Sequence, residues 1–110
     1  MAGNGFVVLR YTSPRLPEGI YNEFVRSTAE LANREVWPAA RIAGATSWKI
    51  LADVLQNTPV NTQIIEFDTV DQALAYLVSP VFMESLAKFR SMGALDMSVT
   101  ACRLRDEGYL

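Results

Sequence analysis

The absence of histidine is the feature that most narrows the chemistry open to this chain. Ser-His-Asp and Cys-His nucleophile systems need an imidazole to accept a proton, so both are excluded. With no histidine and a single cysteine, Cys102, the chain also lacks the usual ligand sets for haem and zinc, and we expect neither a metal site nor a cofactor. Acid–base chemistry near neutral pH would have to use a carboxylate, a tyrosine, a lysine or the cysteine in a perturbed environment.

Arg10 and Glu66 form the first candidate pair, because they lie late in two strands that we predict to be central neighbours. Together they could form a buried pair in which Glu66 serves as a general base. An ion pair at the mouth of a barrel, which fixes strand registry without chemistry, explains the same two residues. Both interpretations stay open at this point.

Six further residues are candidates for binding a small substrate. Aromatic rings shape an apolar cavity, while hydroxyl, indole and guanidinium groups orient a ligand inside it. The six are Tyr11, Tyr21, Arg41, Trp48, Tyr76 and Phe82. Aromatic residues at helical spacing more often belong to a packed core, which is the competing interpretation.

The composition predicts one ordinary globular domain over residues 1–110. Half of the chain is apolar and a fifth is charged, as in average globular proteins. A net charge of −2 and scattered basic residues argue against a nucleic-acid surface. No apolar run is long enough to cross a bilayer, and the first five residues do not resemble a secretion signal. We therefore expect a cytoplasmic protein that binds neither nucleic acid nor membrane.

Hydrophobic periodicity and breaker residues predict the order strand, helix, strand, strand, helix, strand. The strands are predicted at Phe6–Thr12, Arg41–Val54 (interrupted by Gly44), Asn61–Asp68 and Leu95–Leu104. The helices are predicted at 17–36, ended by Pro38, and from a Thr69/Gln72 capping box to Gly93, with a bend or restart at Ser79-Pro80.

These elements predict an α+β fold of the βαββαβ kind, an antiparallel four-stranded sheet with two helices on one face. The other face of the sheet must then meet water or a partner. The first and third strands are apolar in both parities, at residues 6–9 and 64–65, so both of their faces need cover. A second copy of the chain would supply that cover, and we predict a homodimer.

Three segments carry a resemblance to a known superfamily, at residues 65–69, 71–76 and 79–82. A strand, a short acidic turn, a helix and then Ser-Pro with an aromatic residue are similar to the dimeric α/β-barrel proteins of ferredoxin-like fold. That superfamily includes cofactor-independent antibiotic-biosynthesis monooxygenases, polyketide cyclases, muconolactone isomerases and EthD-like proteins. Residues 41–44, Arg-Ile-Ala-Gly, resemble the segment that enters the second strand in muconolactone isomerases.

The resemblance implies a pocket between the sheet and the helices of one subunit. Tyr11 ends the first strand and Trp48 lies midway along the second, so we expect them to wall this pocket together with Tyr21 and Arg41. Arg41 would orient an acidic or enolate-bearing ligand through charge-assisted hydrogen bonds. Since Arg41 and Trp48 differ in strand parity, both face the pocket only if a bulge lies near Gly44.

The resemblance further implies a cofactor-independent enzyme, namely a monooxygenase, cyclase or isomerase acting on a small apolar, aromatic or polyketide-like molecule. The alternative is a non-catalytic ligand-binding or structural, stress-related dimer of the same fold. The sequence does not decide whether the chain is an enzyme. A cavity with two or more convergent polar groups would favour the enzyme, and one filled by Phe and Leu would favour the alternative.

Overall fold

The computed structural model describes residues 3–13, 18–53 and 60–110, and it leaves the side chains of residues 18–21 outside the description. Its elements in chain order are β1 (Gly5–Thr12), α1 (Glu18–Leu31), a π-helical turn (Ala32–Val36), α2 (Trp37–Ile42), β2 (Ala45–Ala52), β3 (Val60–Phe67), α3 (Val70–Leu77), α4 (Pro80–Met92) and β4 (Leu95–Arg103).

The four strands form one antiparallel sheet in the order β2-β3-β1-β4. Alternate residues of the two central strands, among them Leu9 and Phe67, are buried beneath the helices. All helical segments therefore pack on the same face of the sheet, as the predicted βαββαβ arrangement requires. The predicted fold class is confirmed.

The opposite face of the sheet, called the open face below, carries no helix among the described residues. Phe6, Val8 and Ile64 lie on it in a half-buried state, and Leu51 is 53% exposed. Val8 pairs with Ile64 on one side and with Thr100 on the other, which places this apolar group at the centre of the sheet. The prediction that the two central strands are apolar on both faces is therefore confirmed.

Pro38 does not end the first helix, which corrects our prediction. The backbone stays helical to Ile42, because the turn before Pro38 widens from an α-helical to a π-helical one. The Trp37 N–H donates to the Ala32 carbonyl, five residues earlier. A proline has no N–H and its ring crowds the carbonyl four residues before it, and a wider turn accommodates both effects. The predicted start of this helix at Pro17 lies outside the described residues.

The second strand starts at Ala45, and the predicted start at Arg41 is wrong. Arg41 belongs to the last turn of α2, and Gly44 lies in the turn before the strand rather than inside it. Gly44 has a φ of +105°, a conformation that favours glycine. A Cβ at this position would also lie 2.7 Å from Nε2 of Gln72. The predicted end of the strand at Val54 lies outside the described residues.

The signals for the second helical segment are confirmed. The Thr69 side chain accepts from the Gln72 N–H, and the Gln72 side chain accepts from the Thr69 N–H, which completes the capping box. The chain then leaves α3 and starts α4 at Ser79-Pro80, where the Ser79 hydroxyl caps the Phe82 N–H at 3.3 Å. Gly93 ends α4 with a φ of +119°.

Candidate functional site

A cavity of about 120 Å³, called the inner pocket below, lies between the sheet and α1. It is lined by Tyr11, Ser13, Phe24, Val25, Thr28, Ala29, Ala32, Ile50, Asn61, Gln63 and Phe89. Val25 and Ala29 are exposed residues of α1, so the pocket reaches the surface beside this helix. Its opposite wall is made by strand residues at the middle of the molecule.

Gln63 is the unusual member of this lining. Its partners in the sheet are Leu9 and Ile50, so its side chain shares their face and points toward the helices. Gln63 is only 1% exposed, and its Nε2 has no hydrogen-bond partner among the described residues. A buried amide N–H without a partner costs about 1–3 kcal/mol. Gln63 therefore keeps this donor in the wall of the inner pocket at a cost to stability.

The neighbouring polar groups are already engaged with the protein. The Asn61 Nδ2 donates to the Ser13 hydroxyl at 2.8 Å, and the Thr28 hydroxyl donates to the Phe24 carbonyl at 2.9 Å. These bonds engage the polar groups beside Gln63, and none of them is made to its Nε2. Four polar residues and the Tyr11 ring thus converge on one small space.

Whether charged groups line the inner pocket determines what chemistry it can support. Among the described residues, none that lines it carries a carboxylate, an amine, a guanidinium or a thiol. The pocket can therefore stabilise negative charge on a ligand oxygen through an N–H donor, but its described lining offers no ordinary base to create that charge. A substrate would have to enter already ionised or with a readily lost proton.

A second cavity of about 390 Å³, called the outer groove below, lies where β2 meets α2 at the edge of the sheet. It is lined by Trp37, Ala40, Arg41, Ala45, Thr46, Ser47, Trp48 and Ile65. The indole rings of Trp37 and Trp48 stack with their centroids 4.1 Å apart and their planes 6° from parallel. None of the described lining residues is shared with the inner pocket.

The predicted wall of four residues is divided between these two cavities. Tyr11 lines the inner pocket, where its ring stacks on Phe89 at a centroid distance of 6.2 Å, while Arg41 and Trp48 line the outer groove. The side chain of Tyr21 lies outside the described part of the chain. The pairing of β2 with β3 shifts between Ala45 and Ser47, and this bulge turns Trp48 to the helical face beside Ile65. The bulge lies close to Gly44, where we expected it. Arg41, in contrast, lines the groove from α2 and not from a strand.

Tyr76 and Phe82 are core residues, which agrees with the competing interpretation that aromatic residues at helical spacing belong to a packed core. They are 2% and 1% exposed, and their ring centroids are 4.9 Å apart. The Tyr76 hydroxyl has no hydrogen-bond partner among the described residues, and burial raises the pKa of Tyr76 to about 12. Neither residue belongs to the described lining of the inner pocket or of the outer groove.

The expected pair of Arg10 and Glu66 does not form within the chain, and this prediction is wrong. The ladder of β1 and β3 places Arg10 opposite Thr62 and Glu66 opposite Phe6. Four residues of strand therefore separate the two charges, roughly 13 Å along the sheet. Glu66 instead accepts a hydrogen bond from the Ser47 hydroxyl at 3.0 Å. It lines a cavity of about 290 Å³ on the open face, to which Cys102 also contributes.

Asn61 and Gln63 were missed as candidates, although a signal for them existed. They share the parity of Ile65 and Phe67, the buried residues of a strand predicted to be central. Two amides on the core-facing side of such a strand need partners or a ligand, because burying an amide without a hydrogen bond is unfavourable. The parity of these two amides on the strand therefore indicates the polar lining of the inner pocket.

Metal-binding clusters and membrane-spanning helices are absent from the part of the chain that the structure describes. Within the described ranges, no group of three or more His, Cys, Asp or Glu residues could hold a metal ion. No helix in those ranges is both long and apolar enough to cross a bilayer.

Comparison with known proteins gives likeness of structure only. No family model and no curated protein matches this chain. A cofactor-independent oxygenase from Streptomyces nogalater, SnoaB, is similar with a TM-score of 0.60 at 16% identity, over 96% of this chain and 97% of that one. A dimeric protein of unknown function from Bacteroides fragilis with a ferredoxin-like fold gives 0.59 at 13% identity, over 94% and 100%.

A third similar structure has another activity. The hydroxynitrile lyase of Passiflora edulis gives a TM-score of 0.57 at 12% identity, over 97% of this chain and 99% of that one. One backbone thus serves an oxygenase and a lyase, and activity has to be argued from the site. What the likeness and the sheet order do show is that this chain has the ferredoxin-like α+β fold.

Proposed function

We propose that this chain is a homodimeric, cofactor-independent oxygenase acting on a small molecule that forms an enolate or phenolate, with the inner pocket as its active site. The observation that carries the proposal is the buried Nε2 of Gln63, an N–H donor that has no partner among the described residues. Gln63 lies in the wall of a cavity lined by four polar residues. A donor of this kind stabilises the oxyanion of a bound substrate in a site from which water is excluded.

The reaction follows from what the pocket contains and from the chemistry of an enolate. The anion, held by Gln63, is electron-rich enough to react with dioxygen directly. In the overall step a CH₂ group beside the enolate carbonyl becomes a second carbonyl. One oxygen atom of dioxygen enters the product, the other leaves as water, and dioxygen is the only oxidant.

The lack of a carboxylate or an amine among the described lining residues favours oxygenation over lyase or cyclase chemistry. Both of those reactions need a group that removes a proton from a weakly acidic substrate. Among the described residues that line the inner pocket, none carries a carboxylate, an amine or a thiol, and Tyr11 is the only one with a titratable side chain. An enol whose pKa lies near neutral ionises without one, so the oxygenase of similar fold is the better guide than the lyase.

The size of the inner pocket limits the substrate. A cavity of about 120 Å³ is close to the roughly 150 Å³ that holds a benzene ring in an engineered protein. We therefore propose a substrate whose reacting part is a single ring. Any larger part of the bound substrate would extend out of the pocket beside Val25 and Ala29, where the pocket opens.

The dimer is part of the same proposal. Phe6, Val8 and Ile64 form an apolar centre on the open face, and solved proteins of this fold are described as dimeric. Packing two open faces together would bury this centre and leave both inner pockets on the outer, helical side. A stable contact of this type buries at least about 1,000 Å².

The test is enzyme-dependent oxygen uptake with a panel of cyclic 1,3-diketones and substituted phenols whose pKa lies near neutral. We expect uptake and a product with one added carbonyl for single-ring members, and none for rigid fused tricyclic ones. The matched control is Tyr76→Phe, which changes a buried hydroxyl outside the pocket and should keep full activity. Binding without oxygen uptake would establish the non-catalytic alternative, and absence of both would overturn the proposal.

A further inference from the structure

The outer groove is not used by the proposed reaction, yet its composition is unusual for a surface gap. It holds both tryptophans of the protein. Trp48 stays 49% exposed although it stacks on Trp37, so one of the largest apolar side chains keeps about half of its area in water. An exposed indole next to a cavity is a surface on which a second planar ring can stack.

Arg41 supplies the polar element of the groove. It lies four residues after Trp37 in α2, and this spacing places the two side chains on the same side of the helix. Arg41 is exposed and forms no ion pair or side-chain hydrogen bond with any described residue. By contrast, Arg26 of α1 pairs with Glu30 at 3.7 Å, and Lys88 of α4 donates to Glu35 at 2.8 Å.

The dimensions and the hydroxyl groups of the groove complete the description. Its volume of about 390 Å³ lies in the range of small-molecule sites and is more than three times that of the inner pocket. Thr46 and Ser47 line it beside Arg41. The Ser47 hydroxyl donates a hydrogen bond to the Glu66 carboxylate at 3.0 Å. The Thr46 hydroxyl donates only a long hydrogen bond of 3.4 Å, to the Glu66 backbone carbonyl.

We infer that the outer groove is a second binding site, separate from the inner pocket, for a planar aromatic carboxylate. The ring system stacks on the exposed indole of Trp48, and the carboxylate accepts hydrogen bonds from the Arg41 guanidinium and from the Thr46 hydroxyl. Charge-assisted hydrogen bonds make the acid the preferred ligand, and the stacked indoles select planar rings. This site does not depend on the oxygenase proposal.

The experiment uses the two indole N–H signals in a proton–nitrogen correlation spectrum of the full chain, since both tryptophans lie in the groove. The probes are 2-naphthoate and its neutral analogue 2-naphthamide. We expect both indole signals to shift saturably with naphthoate, and the affinity for naphthamide to be at least tenfold weaker. Equal affinities, or indole signals that do not move, would overturn the inference.

Three variants make the assignment specific. Arg41→Gln should weaken naphthoate binding at least tenfold and leave naphthamide binding unchanged, whereas Arg26→Gln, which also removes one exposed charge, should change neither. Gln63→Met should also leave naphthoate binding unchanged, because it alters only the inner pocket. If Arg41→Gln had no effect, or if Gln63→Met abolished binding, the outer groove would not be the site. None of these outcomes bears on oxygen uptake, so the two proposals fail separately.

Discussion

Replacing Gln63 with methionine should make the protein more stable and less active at the same time. Methionine has nearly the same length and is unbranched, so it fills the space of the amide without opening a cavity. The change removes a buried N–H that has no partner among the described residues. A buried donor in this state costs about 1–3 kcal/mol, so we expect the free energy of unfolding to rise by at least about 1 kcal/mol.

The same change should remove most of the activity. Loss of one donor to a developing oxyanion typically lowers kcat by about 10²- to 10³-fold. Thermal unfolding and oxygen uptake measure the two effects. For a domain of this size, 1 kcal/mol corresponds to a Tm shift of roughly 4 °C, and wild type and variant must be compared at equal protein concentration because a dimer's Tm depends on it.

Tyr76→Phe is the matched control, because the Tyr76 hydroxyl is also buried without a partner among the described residues but lines none of the three cavities. It should raise stability by a similar amount and leave activity unchanged. A Gln63→Met protein that is less stable than wild type would refute the reasoning, since its amide would then be satisfied in the folded state. A stabilised variant with full activity would refute the catalytic role of Gln63.

The remaining predictions concern pH, assembly and composition. The pKa of the Tyr76 phenol is near 10 in the unfolded chain, and burial raises it to about 12 in the folded protein. The free energy of unfolding should therefore be constant below pH 10 and fall by about 2–3 kcal/mol as the pH rises through 12. Tyr76→Phe should lack this loss in alkaline unfolding curves. Light scattering should give a dimer for wild type and a monomer for Val8→Lys, whereas Val81→Lys, at a helical position that is 41% exposed, should stay dimeric. The purified protein should be colourless, and a Soret band or stoichiometric zinc would contradict the ligand argument drawn from its composition.

Features that depend on local residue chemistry were predictable from the sequence. The capping box at Thr69, the restart of the helix at Ser79-Pro80 and the end of α4 at Gly93 each depend on residues close together in the chain. The central, neighbouring positions of β1 and β3 were also predicted, because few topologies satisfy this order of elements. Local rules are reliable where the interacting groups lie within one or two turns of each other.

Features that depend on an alternative backbone geometry were not predictable. The separation of Arg10 from Glu66 is different, because it follows from the antiparallel sheet that the sequence predicts. Both residues lie late in their strands, and antiparallel pairing places the late residues of neighbouring strands at opposite ends. The rule that proline ends a helix holds for an α-helix, but the π-helical turn before Pro38 provides a route that local propensity does not reveal. The polar lining of the inner pocket was not predicted, because it depends on the face of β3 on which Asn61 and Gln63 lie.

The π-helical turn determines how a one-residue insertion or deletion in this segment would affect the outer groove. Such a turn contains one residue more than the α-helical turn that it replaces, so it behaves as a one-residue insertion within a helix. Deleting one residue between Ala32 and Val36 would restore an α-helical turn that covers the same rotation. The Pro38 ring would then crowd the carbonyl four residues before it, and the helix would kink or end at this point. The outer groove, which depends on Trp37 and Arg41 in the following turn, is therefore sensitive to the length of this segment.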